Sequence, residues 1–105
     1  MVKVEFRNAQ LMKLYEEGRA RKYPLDASVI RRFVAVVGWF KAAKDIHDLW
    51  KLPSLNFEAL KGYPNRYSAR VSAKYRVEME IDWENPEKTI GLVGIVELSN
   101  HYGGK

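Results

Sequence analysis

Arg70, Arg76 and the closing triplet Asn100-His101-Tyr102 carry the most versatile chemistry in this sequence. Arginine presents a rigid fork of donors that can take two phosphate oxygens at once. Histidine gives or takes a proton near neutral pH. Tyrosine can stack on unpaired bases. Such a set suits metal-free cleavage of RNA. A base removes the 2′-OH proton, cations stabilise the pentacoordinate phosphorus, and an acid protonates the leaving 5′-oxygen. Taken alone, a His-Tyr pair after a strand reads first as packing or capping, so its meaning depends on what the chain brings beside it.

The arginines sit in the stretch 60–82, LKGYPNRYSARVSAKYRVEMEID, which has the pattern of a β-hairpin. Tyr67, Ala69 and Val71 alternate with Ser68, Arg70 and Ser72; Tyr75, Val77, Met79 and Ile81 alternate with Lys74, Arg76, Glu78 and Glu80. Period-two alternation marks half-buried strands. Directly opposed residues share a face, so keeping the apolar set together requires an odd loop, Ser72-Ala73-Lys74. That parity pairs Val71 with Tyr75 and Arg70 with Arg76. Two guanidinium groups roughly 5–6 Å apart would repel by roughly 3 kcal/mol at an effective dielectric near 20, and by under about 1 kcal/mol if fully solvated. Either solvent screens the pair or an anion uses it.

The chain has 105 residues, a net charge of +5 and no cysteine. One domain of this length can bury a core without staples. The lack of cysteine excludes a disulfide framework and thiolate metal sites, and His47 and His101 are too far apart in sequence to suggest zinc. No apolar run is long enough for a membrane span, and the expectation is a cytoplasmic protein. Charge is segregated: five basic residues and no acid lie between Lys61 and Arg76, six acids and one lysine between Val77 and Glu97. Arg19, Arg21 and Lys22 form a second basic patch, followed by Arg31 and Arg32. A basic excess of this kind points to nucleic acid or another acidic partner.

Val2, Val4 and Phe6 alternate with charged residues as a first strand. Asn8 is placed to cap a helix over 9–17 that carries Leu11, Leu14 and Tyr15 on one face and stops at Gly18. Asp26 is expected to cap a second helix to about residue 43, buried through Val29, Ile30, Phe33, Val34, Val37 and Phe40. Val36 and Trp39 fall beside that stripe, as edge-of-core packing or a partner-facing patch. A short helix over 46–50 follows, and its His47 reads as a surface or capping histidine. Alternation over 55–60 predicts a strand, and Tyr63-Pro64-Asn65 a turn. The run TIGLVGIVEL, apolar at nearly every position, predicts a strand covered on both faces. The order of elements gives an α+β domain, with helices on one face of a twisted, mainly antiparallel sheet. Glu78, Glu80 and Asp82 alternate on one strand face; metal binding is conceivable there, but Lys74 and Arg76 on the same face favour charge balancing.

The motifs N-F-E-A-L-K-G (56–62), R-Y-S-A-R-V-S-A-K-Y-R-V-E (66–78) and E-L-S-N-H-Y (97–102) together resemble the HigB toxins of the RelE/ParE toxin–antitoxin superfamily. The likeness spans the chain and is densest in its last 50 residues. It implies one RelE-like domain and a ribosome-dependent, cofactor-free mRNA endoribonuclease. It also implies a cognate helix-turn-helix antitoxin of the HigA type, through which alone DNA would be contacted. Carried onto this chain, the catalytic positions are Arg76, Arg70, Asn100, His101 and Tyr102. RNA contacts fall on Lys61, Arg66, Lys74 and Tyr75. The chain departs from the family pattern in two places. Glu58 stands before L-K-G, where many relatives have histidine, and could serve as the base if it faces the cleft. Ser99-Asn100-His101 stands in place of Asp-Tyr-His, with Tyr102 following. Two alternatives stay open: a non-catalytic toxin that inhibits a protein such as DNA gyrase, as the ParE branch does, and an inactive RNA-binding relative. On sequence grounds, Arg76→Ala is expected to abolish activity without harm to the fold.

Overall fold

A computed structural model describes residues 2–100. Strand β1 (Lys3–Phe6) leads to helices α1 (Ala9–Glu17), α2 (Ala27–Ala42) and α3 (Ile46–Trp50). A 3₁₀ turn (Pro53–Leu55) then precedes strands β2 (Glu58–Ala59), β3 (Arg66–Arg70), β4 (Arg76–Trp83) and β5 (Gly91–Ser99). The sheet order is β1-β5-β4-β3-β2. β1 runs parallel to β5 and every other pair is antiparallel. The helices pack on one face, as the alternation requires.

The helix ends follow from local chemistry. The Asn8 side chain accepts from the Gln10 and Leu11 amides at 3.0 and 3.2 Å, satisfying donors that the first turn leaves open. Gly18 adopts the left-handed conformation (φ 77°) and its amide returns to the Leu14 carbonyl. Asp26 does precede α2, but its side chain makes no capping bond. α2 buries Phe33, Val36, Val37 and Phe40 completely, so Val36 belongs to the core rather than to its edge. Val29, Ile30 and Val34 are only partly buried. Facing α2 across the core are Val77, Met79, Ile81, Val93 and Ile95, and full burial of such side chains is worth about 1.5–3 kcal/mol each.

The hairpin register is the one parity demands: Arg70 lies opposite Arg76, Ala69 opposite Val77 and Ser68 opposite Glu78. The Val71 amide donates to the Tyr75 carbonyl at 2.9 Å, and the Ser72 hydroxyl accepts from the Lys74 and Tyr75 amides, shaping the three-residue loop.

Two expectations need correction. The strand over 55–60 contracts to Glu58–Ala59, because the 3₁₀ turn takes Leu55 and Asn56 is left-handed (φ 42°). β5 is not sandwiched between layers. Its outer face has Gly94, across which the Arg7 side chain lies so closely that a Cβ would overlap the guanidinium. β5 also holds a bulge: Glu78 pairs with Glu97 and Met79 with Ile95, leaving Val96 as an extra residue. The bulge reverses the alternation beyond it. Leu98 therefore turns into the core and Ser99 arrives opposite Arg76.

Candidate functional site

The helix-free face of the sheet divides into two halves of opposite character. At one end Arg70 and Arg76 stand side by side. Arg70 is exposed, whereas Arg76 is only 5% exposed. A buried guanidinium needs acceptors, and the described residues supply at least three. Its Nε donates to Ser68 Oγ at 2.9 Å, and one terminal nitrogen donates to the Asn56 carbonyl and to the Ser68 carbonyl at 3.3 Å. The same nitrogen lies 3.8 Å from Glu58 Oε1 on β2. The left-handed turn at Asn56, which shortens the expected strand, thus delivers a carbonyl to Arg76. Asn56, Arg70, Ser72, Ala73 and Arg76 line a cleft of about 240 Å³. This arrangement fixes one cation in the wall and, among the described residues, leaves the exposed second one able to close on an anion.

The other half is acidic and internally balanced. Glu78, 8% exposed, accepts from Arg66 Nε and Nη2 at 3.2 and 3.0 Å. Arg66 also approaches Glu80 at 3.7 Å. Arg7 reaches from the end of β1 to Glu5 (2.9 Å), Glu80 (3.2 Å) and Asp82 (2.7 Å). The hydrogen bonds to Glu5 and Asp82 hold its guanidinium pKa above the ordinary arginine value. Charge balancing is therefore the role of Glu78, Glu80 and Asp82, with Arg66 and Arg7 as partners instead of the expected Lys74 and Arg76. Among the described residues no group of three His, Cys, Asp or Glu side chains is placed to hold a metal ion.

The residues picked from the sequence are only partly brought together. Arg70 and Arg76 line the cleft, and Glu58 stands beside Arg76, 3.8 Å from its guanidinium, without lining it. Lys74 is exposed at the hairpin tip and Lys61 on the turn after β2. Asn100 is exposed immediately after β5. Tyr75 does not share the arginine face: it packs against the core and borders a separate groove with Pro24 and Leu25. His47 is exposed on α3. His101 and Tyr102 lie outside the described residues. Sequence reading missed Ser68 and Asn56 as the groups that position Arg76. For Ser68 a signal existed, since it shares the parity of Arg70 and is small enough to admit the Arg76 side chain. The Asn56 carbonyl left none, because a main-chain acceptor has no residue type.

An open five-stranded sheet with three helices on one face, and paired arginines on the other, defines the class of fold. Neither a family model nor a curated protein matches the chain. Among solved structures it is similar to the YoeB/ParE toxin from Agrobacterium tumefaciens, with a TM-score of 0.56 and 15% sequence identity. The alignment covers 96% of this chain and 100% of that one. At this identity the likeness is one of fold, and it agrees with the RelE-like architecture that the motifs imply. Among the described residues no helix is long and apolar enough to cross a membrane.

Proposed function

We propose that this protein is the toxin of a type II toxin–antitoxin system, acting in the cytoplasm as a ribosome-dependent mRNA endoribonuclease. The fold shared with a YoeB/ParE toxin supports the toxin reading. The observation that carries the nuclease reading is the Arg70–Arg76 pair at a cleft, one cation anchored and its neighbour exposed. Arg76 and Arg70 bind the scissile phosphate and stabilise the charge that develops on it. Glu58, beside Arg76, takes the 2′-OH proton as the 2′-oxygen attacks phosphorus. The P–O5′ bond breaks, and His101 or Tyr102, following Asn100 beyond β5, supplies the proton to the leaving oxygen. Lys61 and Lys74 contact flanking phosphates, while Arg66 is already engaged by Glu78. No cofactor enters this scheme. The HigB resemblance names the branch and a HigA-like helix-turn-helix antitoxin as partner, with DNA reached only through that antitoxin.

The solved neighbour's description joins YoeB with ParE, so inhibition of a protein target such as DNA gyrase is the second reading. Induced expression followed by sequencing of mRNA ends separates the two. New ends within translated codons, lost on Arg70→Ala at an equal level of folded protein, are the expected result. Intact transcripts accompanied by DNA damage support the inhibitor and overturn the nuclease.

A further inference from the structure

Tyr63 has no part in the scheme above, yet it is the most exposed of the large hydrophobic residues among those described, at 61%. Its backbone is held firmly. Gly62 (φ 85°) and Asn65 (φ 60°) are left-handed on either side, and Pro64 restricts Tyr63 to extended conformations. The Leu60 amide donates to the Arg66 carbonyl and the Ile81 amide to the Asn65 carbonyl, closing the turn and tying it to β4. The Arg66 guanidinium lies 5.7 Å from the Tyr63 ring centroid, within cation–π range. Arg66 is itself fixed by Glu78 and Glu80, and Glu80 by Arg7. A chain of ion pairs therefore braces one side of an aromatic ring that otherwise faces solvent.

Position gives the ring a use. Arg66 and Arg70 are four residues apart on one strand face, a separation on the order of 13 Å. A single nucleic-acid strand covers that distance in about four stacked nucleotides, fewer when extended. Lys61 is exposed on the same turn, where it can meet a phosphate. The other exposed aromatic among the described residues, Trp50, packs at right angles against the buried Phe57 on the helix side of the sheet, away from the arginines. Tyr75, the tyrosine nearest the hairpin tip, packs against the core.

We propose that Tyr63, braced by Arg66, is a stacking platform for an unpaired RNA base a few nucleotides from the phosphate held by Arg70 and Arg76. The inference rests on the nuclease reading and adds to it a contact with a base. Arg66 is a positioning residue in this arrangement, and Tyr63 sets affinity and register along the strand.

The test is fluorescence anisotropy with a labelled, 2′-O-methylated hexaribonucleotide, which binds but cannot be cleaved at a 2′-hydroxyl. Tyr63→Ala should weaken binding by roughly 5- to 150-fold, the value of one base–aromatic stack, and Tyr63→Trp should retain it. The salt dependence of Tyr63→Ala should match that of the unaltered protein, because no phosphate contact is lost. Arg70→Ala should instead lower the slope by about 0.7. With an abasic hexamer, Tyr63→Ala and the unaltered protein should bind alike. If Tyr63→Ala binds the intact hexamer as tightly as the unaltered protein while Arg70→Ala is weakened, the stacking role falls and the nuclease reading stands. If Tyr63→Trp fails to retain binding, or the abasic hexamer still distinguishes Tyr63→Ala, the ring is structural and the inference is overturned. An unaltered protein that binds no hexamer overturns the stacking platform, while the ribosome-dependent nuclease reading is decided separately by the mRNA ends.

Discussion

Replacing one or the other member of the arginine pair should have very unequal consequences for the fold. Arg76→Ala removes a buried guanidinium from Ser68 Oγ, the Ser68 carbonyl and the Asn56 carbonyl. Each hydrogen bond from a charged donor contributes about 1.5–3 kcal/mol, and these share one group and do not add fully. Left behind are neutral acceptors that lose their donor, at about 1–3 kcal/mol each where water cannot reach them, while the half-exposed Glu58 stays solvated. Relief of repulsion from Arg70 returns under about 1 kcal/mol, since Arg70 is solvated. The net expectation is a loss of about 3 kcal/mol, a midpoint shift of roughly 2 M urea at an m value of about 1.5 kcal/mol/M. Arg70→Ala should stay within about 0.5 kcal/mol of the unaltered protein, as exposed sites usually do, and drift to the stabilising side at low salt as screening weakens. Urea unfolding followed by circular dichroism at two ionic strengths measures both. An Arg76→Ala protein within 1 kcal/mol of the original, roughly the worth of a single neutral hydrogen bond, at unchanged m would refute the reasoning. It follows that loss of activity in Arg76→Ala cannot by itself be assigned to catalysis, contrary to the expectation from sequence. Arg70→Ala is the cleaner probe.

Two further outcomes follow from the same face. Glu58→Gln keeps the size and position of the group beside Arg76 but removes its basicity, so RNA cleavage should fall by roughly 100-fold or more while hexamer binding changes little; unchanged cleavage rates would exclude Glu58 as the base. Gly94→Ala should displace the Arg7 side chain from β5 and loosen its bonds to Glu5, Glu80 and Asp82. The expected cost is about 1 kcal/mol, read as a lowered urea midpoint, and Arg7→Ala in the same background should then cost little more.

The legible part of the fold was whatever depended on period and parity. Alternation in 66–82 forces an odd loop, and the odd loop forces Arg70 against Arg76, without any tertiary information. Asn8 and Gly18 declare the ends of α1 because their side chains, or the lack of one, act within a single turn. Illegible features were those set by partners distant in sequence. The apolar run of β5 looked doubly covered, but its outer face is closed by one long side chain from residue 7 crossing a glycine. The strand expected over 55–60 gave way because Asn56 turns to satisfy Arg76, a requirement visible only once β4 is in place. The family likeness alone assigns Tyr75 to RNA; parity opposes it to Val71 on the apolar face, and there it packs. At the cleft, the charges could be read from the sequence, whereas the carbonyls that aim them could not.

The strand order carries a consequence for biosynthesis. β5, last of the described strands to be translated, lies between the first strand and β4, with Lys3 opposite Leu92 and Arg76 opposite Ser99. Pairings of such long range are slow to form, because loop closure must precede the contacts that reward it. While β5 is still inside the exit tunnel, β1 has no neighbour and β4 has an open edge. The arginine face therefore cannot reach its final geometry until synthesis has passed residue 99 and the segment has emerged. Until then a partner fitted to the finished face has only its β3–β4 part to bind.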